Sequence, residues 1–168
     1  MNPALNLPGI ILALVVAQRL GELFHSRRNE ARLRAMGGVE AGAGHYPFFF
    51  LVHGGWLAAL AFWVARGPAI NWWWLGLFAL LQIARIWVLG SLGPYWCTRI
   101  ITVPAAPLIS SGPYRWLRHP NYLLVIGEIA VLPLAFSAYA IAITFSILNA
   151  LLLVHRIRVE NAALQDRR

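Results

Sequence analysis

Five apolar runs with few charges inside them occupy most of this chain, at about Leu5–Phe24, Tyr46–Ala65, Ala69–Leu89, Tyr122–Phe136 and Ala138–His155. A helix needs about 20 such residues to cross a hydrocarbon core about 30 Å thick. The first three runs meet that length. The fourth, at about 1.5 Å per residue, spans only about 22 Å before Ser137. The expected fold is therefore an all-α integral membrane bundle of about five transmembrane helices in one domain, residues 1–168. Helices four and five form a hairpin that need not cross completely, and both its ends lie on the same side.

Composition supports lipid as the solvent. Hydrophobic residues make up 60% of the chain and charged residues 12%, roughly half the charged share of a soluble domain. The net charge of +8 does not read as a nucleic-acid interface, because the arginines fall in short clusters between apolar runs and not as one patch on a soluble fold. Cys97 is the single cysteine, which excludes an intramolecular disulfide and a cysteine-based metal site. Met1 to Gly9 carries no basic residue, so the first helix is expected to be retained and not cleaved as a secretory signal.

Arginine placement sets the expected orientation. The first loop carries Arg27, Arg28, Arg32 and Arg34, the third Arg99, Arg115 and Arg118, and the tail Arg156, Arg158, Arg167 and Arg168; the opposite side has Arg66 alone. Eleven against one puts the N-terminus outside and the C-terminus in the cytoplasm by the positive-inside rule. Trp72, Trp73 and Trp74 then open the third span at the outer interface, where aromatic belts lie. Gly37–Gly38 and Gly42–Gly44 read as a flexible part of the first cytoplasmic loop, a candidate mobile cover.

Polar residues inside the runs are costly and need a partner or a cavity. Gln18, Glu22, His25 and Asn29 share one face of helix one. Gln82 and Arg85 lie near the cytoplasmic end of helix three. Asn121, Leu124 and Glu128 share a face of helix four, and Ser146, Asn149, Arg156 and Glu160 a face of helix five. Arg85 is expected to pair with Glu22 or Glu128, either as a structural network or as part of a site. His53 reads as a packed, hydrogen-bonded histidine. Arg156 precedes Glu160 by four residues, the weaker orientation for mutual helix support, which favours separate tasks for the two.

The stretch Ser110-Ser-Gly-Pro-Tyr-Arg-Trp-Leu-Arg-His-Pro-Asn-Tyr122 concentrates prolines, aromatics and cations just before an apolar helix. Gly112-Pro113 marks a turn, and Pro120 suits the first turn of helix four. Backbone donors there, with Arg118 and His119 beside them, describe an anion site at the membrane surface; an interfacial anchor has the same features. Gly112-Pro-Tyr-Arg, Arg118-His-Pro-Asn-Tyr122 and Arg156-Ile-Arg-Val-Glu160 together resemble the isoprenylcysteine carboxyl methyltransferase family of integral membrane enzymes. The resemblance is strongest over about residues 91–164. The first half of the chain, from Gln18-Arg-Leu-Gly-Glu22 through Arg28-Asn29 to His45-Tyr-Pro47, is similar to a bacterial subgroup associated with O-methylating long-chain pyrones and resorcinols.

The resemblance implies S-adenosylmethionine as cofactor, held by residues 93–168 beneath three N-terminal spans (residues 1–92), in a bacterial inner membrane with the site facing the cytoplasm. It implies Tyr114, His119, Pro120, Tyr122, Leu124 and Glu160 as cofactor-binding residues, and Arg118, Arg156 and Glu160 as catalytic ones, with no metal. Glu160 and His119, or helix-four N–H groups, suit the zwitterionic methionine end. Tyr114, Trp116 and Tyr122 suit the adenine. Arg118, Arg156 and His119 are candidates to activate a phenolic acceptor. The acceptor, a prenylcysteine-type carboxylate or a long-chain phenol or pyrone, would arrive sideways from the bilayer, and membrane lipids would meet Arg158. Two departures stand out: Leu124 where the family often has glycine, and Asn161 where it often has a second glutamate. Neither G-x-G-x-x-G nor G-x-x-x-x-G-K-[ST] occurs, so a soluble nucleotide-binding fold is unsupported. The alternatives from other classes are an NADPH-dependent lipid reductase and a non-catalytic membrane scaffold or transporter subunit.

Overall fold

The structure, a computed structural model, describes residues 6–104, 106 and 108–165; Arg167 and Arg168, expected to add to the basic tail, lie outside the described residues. Helices follow the apolar runs: α1 (Leu7–Ala35), α2 (Tyr46–Val64), α3 (Trp72–Leu92), α4 (Pro120–Ala135) and α5 (Tyr139–Ala163). Four segments, Leu7–Ala35, Ala43–Val64, Trp72–Tyr95 and Tyr139–Ala163, are long and apolar enough to cross a membrane. The fourth helix has 16 residues, about 24 Å, so it is the short arm of the α4–α5 hairpin. The chain is an all-α membrane helical bundle.

The helices outrun their apolar stretches. Arg27, Arg28, Arg32 and Arg34 were expected in a loop but lie on the last turns of α1. Arginine and glutamate are good helix formers, and Arg34 donates to Glu30 one turn back at 2.9 Å. In the same way α5 continues past His155 to Ala163 and carries Arg156 and Glu160.

Polar side chains fix the ends. Asn6 caps α1, its Oδ1 accepting from Gly9 N at 2.8 Å, while its Nδ2 donates to the Val64 carbonyl at the end of α2. Asn71 caps α3 through Trp73 N and Trp74 N, and its own N–H donates to Ala135 O at 2.8 Å, tying α3 to the end of α4. The α4–α5 turn places Ser137 at φ 56°, and Ala138 N donates to Pro133 O at 2.8 Å, a Schellman closure. The core between α1, α2, α3 and α4 is built from Leu12, Val15, Trp56, Leu60, Phe78, Ile129, Leu132 and Phe136. Trp56 and Trp63 donate their indole N–H groups to the carbonyls of Ile129 and Phe136.

Residues 37–44 are not the flexible cover that their glycines suggest. Strand β1 (Val39–Glu40) pairs antiparallel with β2 (Ile101–Thr102), Val39 opposite Thr102. Around it Arg99 contacts Glu40 at 2.5 Å and Glu30 at 3.1 Å, and Arg34 pairs with the same two carboxylates. Burial pushes the Glu40 carboxyl up, but Arg99 and Arg34 outweigh it and hold the group below the ordinary carboxylate range. Gly42 sits at φ 65°, where a Cβ would lie 2.7 Å from Val159 Cγ1 of α5. The segment is clamped between the end of α1, residues 99–102 and α5.

Candidate active site

Three elements bring the sequence-level candidates to one end of the bundle. The turn at Gly112–Arg115 packs on α3, Gly112 at φ 56° so close that a Cβ would meet Ser91 Oγ at 2.1 Å. That placement positions Tyr114. The start of α4 supplies His119 and Tyr122, and the last turns of α5 supply Arg156 and Glu160.

Glu160 is the centre of the first group. Tyr122 donates its hydroxyl to Glu160 Oε2 at 2.5 Å, and His119 Nδ1 lies 3.6 Å from Oε1. The His119 and Tyr122 rings stack at 5.4 Å. On its other edge, His119 Nε2 lies 3.4 Å from Asn161 Oδ1. Asn161, the departure from the family pattern, therefore helps hold the imidazole and is no second carboxylate. Tyr114 contributes a buried hydroxyl with no hydrogen-bond partner among the described residues. Burial and the nearby Glu160 charge push its phenol well above the usual range, keeping it a neutral donor.

Arg156 does not pair with Glu160. It is 4% exposed, and its Nη2 donates to the Thr98 carbonyl at 2.7 Å. The guanidinium lies over the rings of Phe49 at 5.2 Å and Tyr122 at 5.9 Å. Its Nε and Nη1 have no hydrogen-bond partner among the described residues. An always-charged group with two buried, unpaired donors costs free energy unless an anion or oxygen ligand completes it.

Residues 96–102 are a part of the site that sequence reasoning missed. Ser26 of α1 holds Thr98 by its Oγ, accepting from Thr98 N at 2.8 Å and meeting Thr98 Oγ1 at 3.0 Å. Tyr46 reaches the same hydroxyl at 2.9 Å. Asn29 donates to the carbonyls of Gly93 and Trp96. The only advance signal was that an irregular stretch between membrane helices must find partners for its backbone groups. Cys97 donates its S–H to the Arg99 carbonyl, and burial pushes the thiol up to about 11, so it is no thiolate nucleophile near neutrality.

Deeper in the bundle lies a second polar cluster. Arg85 of α3 is bidentate to Glu22 at 2.6 Å and contacts Glu128 at 2.8 Å. Arg19, whose role the sequence reading did not anticipate, bridges Glu22 and Glu128 at 2.9 Å each. Gln18 and Gln82 complete the carboxylates. Two arginines against two glutamates leave the cluster neutral, the form in which charge is tolerated at membrane depth.

One cavity of about 380 Å³ joins the two groups. Tyr114, Arg118, His119, Tyr122, Arg156 and Glu160 line one end, Arg19, Glu22, Arg85 and Glu128 the other, and Leu20, Leu23, Phe50 and Leu57 lie along the wall between α1 and α2. Arg118 is exposed at the rim. Pro120 and Leu124 are buried in α4 and lie outside the lining of this cavity. Trp116 is 67% exposed and meets Trp87 edge-on, so it is not part of the aromatic slot expected of it. The set fits a zwitterionic, aromatic cofactor: the Glu160 carboxylate for an ammonium, the unpaired Arg156 donors for a carboxylate or oxygen, and Tyr114 and Tyr122 for a flat ring.

A sequence model of the isoprenylcysteine carboxyl methyltransferase (ICMT) family matches residues 74–166. The chain is also 41% identical over 161 residues to the uncharacterized protein YpbQ of Bacillus subtilis (strain 168), covering 94% of this chain and 96% of that one. No solved structure matches the chain.

Proposed function

The chain belongs to the isoprenylcysteine carboxyl methyltransferase family and is a multi-pass membrane methyltransferase; from that premise we propose that it moves the methyl group of S-adenosylmethionine onto an oxygen of a lipophilic acceptor, an isoprenylcysteine-type carboxylate or a long-chain phenol or pyrone. The observation that carries this reading is the Tyr122–Glu160–His119 group set beside the two unpaired donors of Arg156 in one cavity.

When bound, S-adenosylmethionine supplies a methyl group already activated by its sulfonium. The residues then have three tasks. Glu160, oriented by Tyr122 and His119, binds the ammonium of the methionine end. Tyr114 and Tyr122 provide ring faces for the adenine. Arg156, fixed by the Thr98 carbonyl, presents Nε and Nη1 to the acceptor oxygen and favours its anionic form, while Arg118 at the rim adds positive charge. Alignment and charge stabilisation are the large terms in such a transfer. The acceptor's tail lies along the apolar wall between α1 and α2 and arrives from the bilayer. The arginine distribution supports a site on the cytoplasmic side of a bacterial inner membrane, with exposed Arg158 near lipid headgroups.

Calorimetry on the protein in nanodiscs tests the cofactor. Saturable binding of S-adenosylmethionine, weakened in Glu160→Gln, is expected. Binding of NADPH without S-adenosylmethionine would replace this reading with a reductase.

A further inference from the structure

His53, on α2, borders the same cavity. Its Nδ1 lies 2.9 Å from the Phe49 carbonyl one turn back. A carbonyl only accepts, so Nδ1 carries the proton, and in the neutral ring Nε2 is an acceptor with a free lone pair. Nε2 is buried and has no hydrogen-bond partner among the described residues. The Phe49 ring lies against His53 at 4.1 Å and under the Arg156 guanidinium at 5.2 Å. One aromatic ring thus carries a lone unpaired acceptor on one neighbour and two unpaired cationic donors on the other. The charged groups around His53 are Arg19, Arg85 and Arg156; Arg19 and Arg85 are occupied by Glu22 and Glu128.

We propose that His53 is the general base of the transfer and that the acceptor is a neutral hydroxyl on an aromatic or enolic ring, its O–H donating to His53 Nε2 and its oxygen accepting from Arg156. This rests on the methyl-transfer reading above and narrows it: a carboxylate arrives without a proton and leaves Nε2 unsatisfied, whereas a phenol or enol satisfies both residues. In the step, Nε2 takes the hydroxyl proton and the oxygen lone pair forms the new O–CH₃ bond. The carbon–sulfur bond breaks with its electron pair left on sulfur, which becomes a neutral thioether. The imidazolium returns its proton to solvent as product leaves.

The test uses the whole protein in nanodiscs and two measurements. The first needs no cofactor. A long-chain nitrophenol, whose absorbance separates phenol from phenolate, is bound at a pH below its free ionisation. The bound probe is expected to be more ionised in wild type than in His53→Gln; equal ionisation in the two overturns the proposal. The second compares labelled methyl transfer to a long-chain phenol with transfer to a long-chain polyfluorophenol that is already ionised. The phenol-to-polyfluorophenol rate ratio is expected to fall by about 10²–10⁴-fold in His53→Gln, the usual worth of a general base, with S-adenosylmethionine affinity as the folding control. An unchanged ratio, with both rates lost in parallel or both retained, overturns His53 as base while leaving the methyltransferase reading intact. Wild type that binds no S-adenosylmethionine overturns both.

Discussion

A hydroxyl 2.5 Å from a half-buried carboxylate is a device for aiming that carboxylate, and in the proposed site the Tyr122 hydroxyl acts on the cofactor through Glu160. Hydrogen bonds to charged groups contribute about 1.5–3 kcal/mol. Tyr122→Phe is therefore expected to weaken S-adenosylmethionine binding by about 10-fold, read by calorimetry, and to have little further effect in a Glu160→Gln background, because the two residues act as one unit. Equal losses in both backgrounds would mean that the Tyr122 hydroxyl touches the cofactor independently. At this scale the sequence picked out side chains that the fold brings together: Tyr114, His119, Tyr122, Arg156 and Glu160 line one cavity. It was silent on the backbone. The Thr98 carbonyl that holds Arg156 has no side-chain signature, and neither does the Phe49 carbonyl that sets the His53 tautomer. His53 is the packed, hydrogen-bonded histidine that its position suggests, and its spacing gives no hint that one ring nitrogen is left over.

At the scale of elements, two short pieces hold the site together. The β1–β2 pair and its arginine–glutamate clasp join the end of α1 to the irregular stretch that carries Thr98. Two paired residues are too few for alternation to show in a sequence, and the glycines around them read as looseness. Gly42 is instead a close approach. Gly42→Ala is expected to cost about 1–2 kcal/mol for its left-handed backbone, with an added cost from the contact with Val159, measured as lowered thermal stability in nanodiscs. The clasp also predicts a pH response. Glu40 has its carboxyl lowered in the folded protein, so its contribution is full above the ordinary carboxylate value and is lost as pH falls through the lowered folded value. Protection of the amides across residues 36–45 against hydrogen exchange should fall in acid, and Glu40→Gln should be weakly protected at every pH. Acid-insensitive protection in the wild type would show that the ion pairs do not hold this segment.

Across the whole molecule, the bundle was legible because membrane helices must satisfy their backbone internally and expose apolar faces to lipid; apolar runs locate them directly. The helix ends were not legible, since arginine and glutamate extend α1 and α5 beyond the point where hydropathy stops. The neutral Arg19–Glu22–Arg85–Glu128 cluster joins α1, α3 and α4 at depth, where Arg85 is 6% exposed. Arg85→Ala leaves two carboxylates short of a partner, and breaking a buried pair costs about 3–5 kcal/mol. The variant is expected to unfold at markedly lower temperature, whereas Arg158→Ala, on the exposed face of α5, is expected to unfold like the wild type. Similar melting of the two variants would demote the cluster to a surface network.

The central claim is that the cavity transfers a methyl group, and labelled S-adenosylmethionine tests it directly. Transfer to a panel of long-chain phenols, pyrones and prenylcysteine carboxylates would be measured in nanodiscs for wild type and Glu160→Ala. The account predicts transfer by wild type to at least one acceptor and its collapse, by about 10²-fold or more if the positioned cofactor supplies most of the alignment, in a folded Glu160→Ala protein. No transfer to any acceptor by wild type, or undiminished transfer by Glu160→Ala, would contradict it.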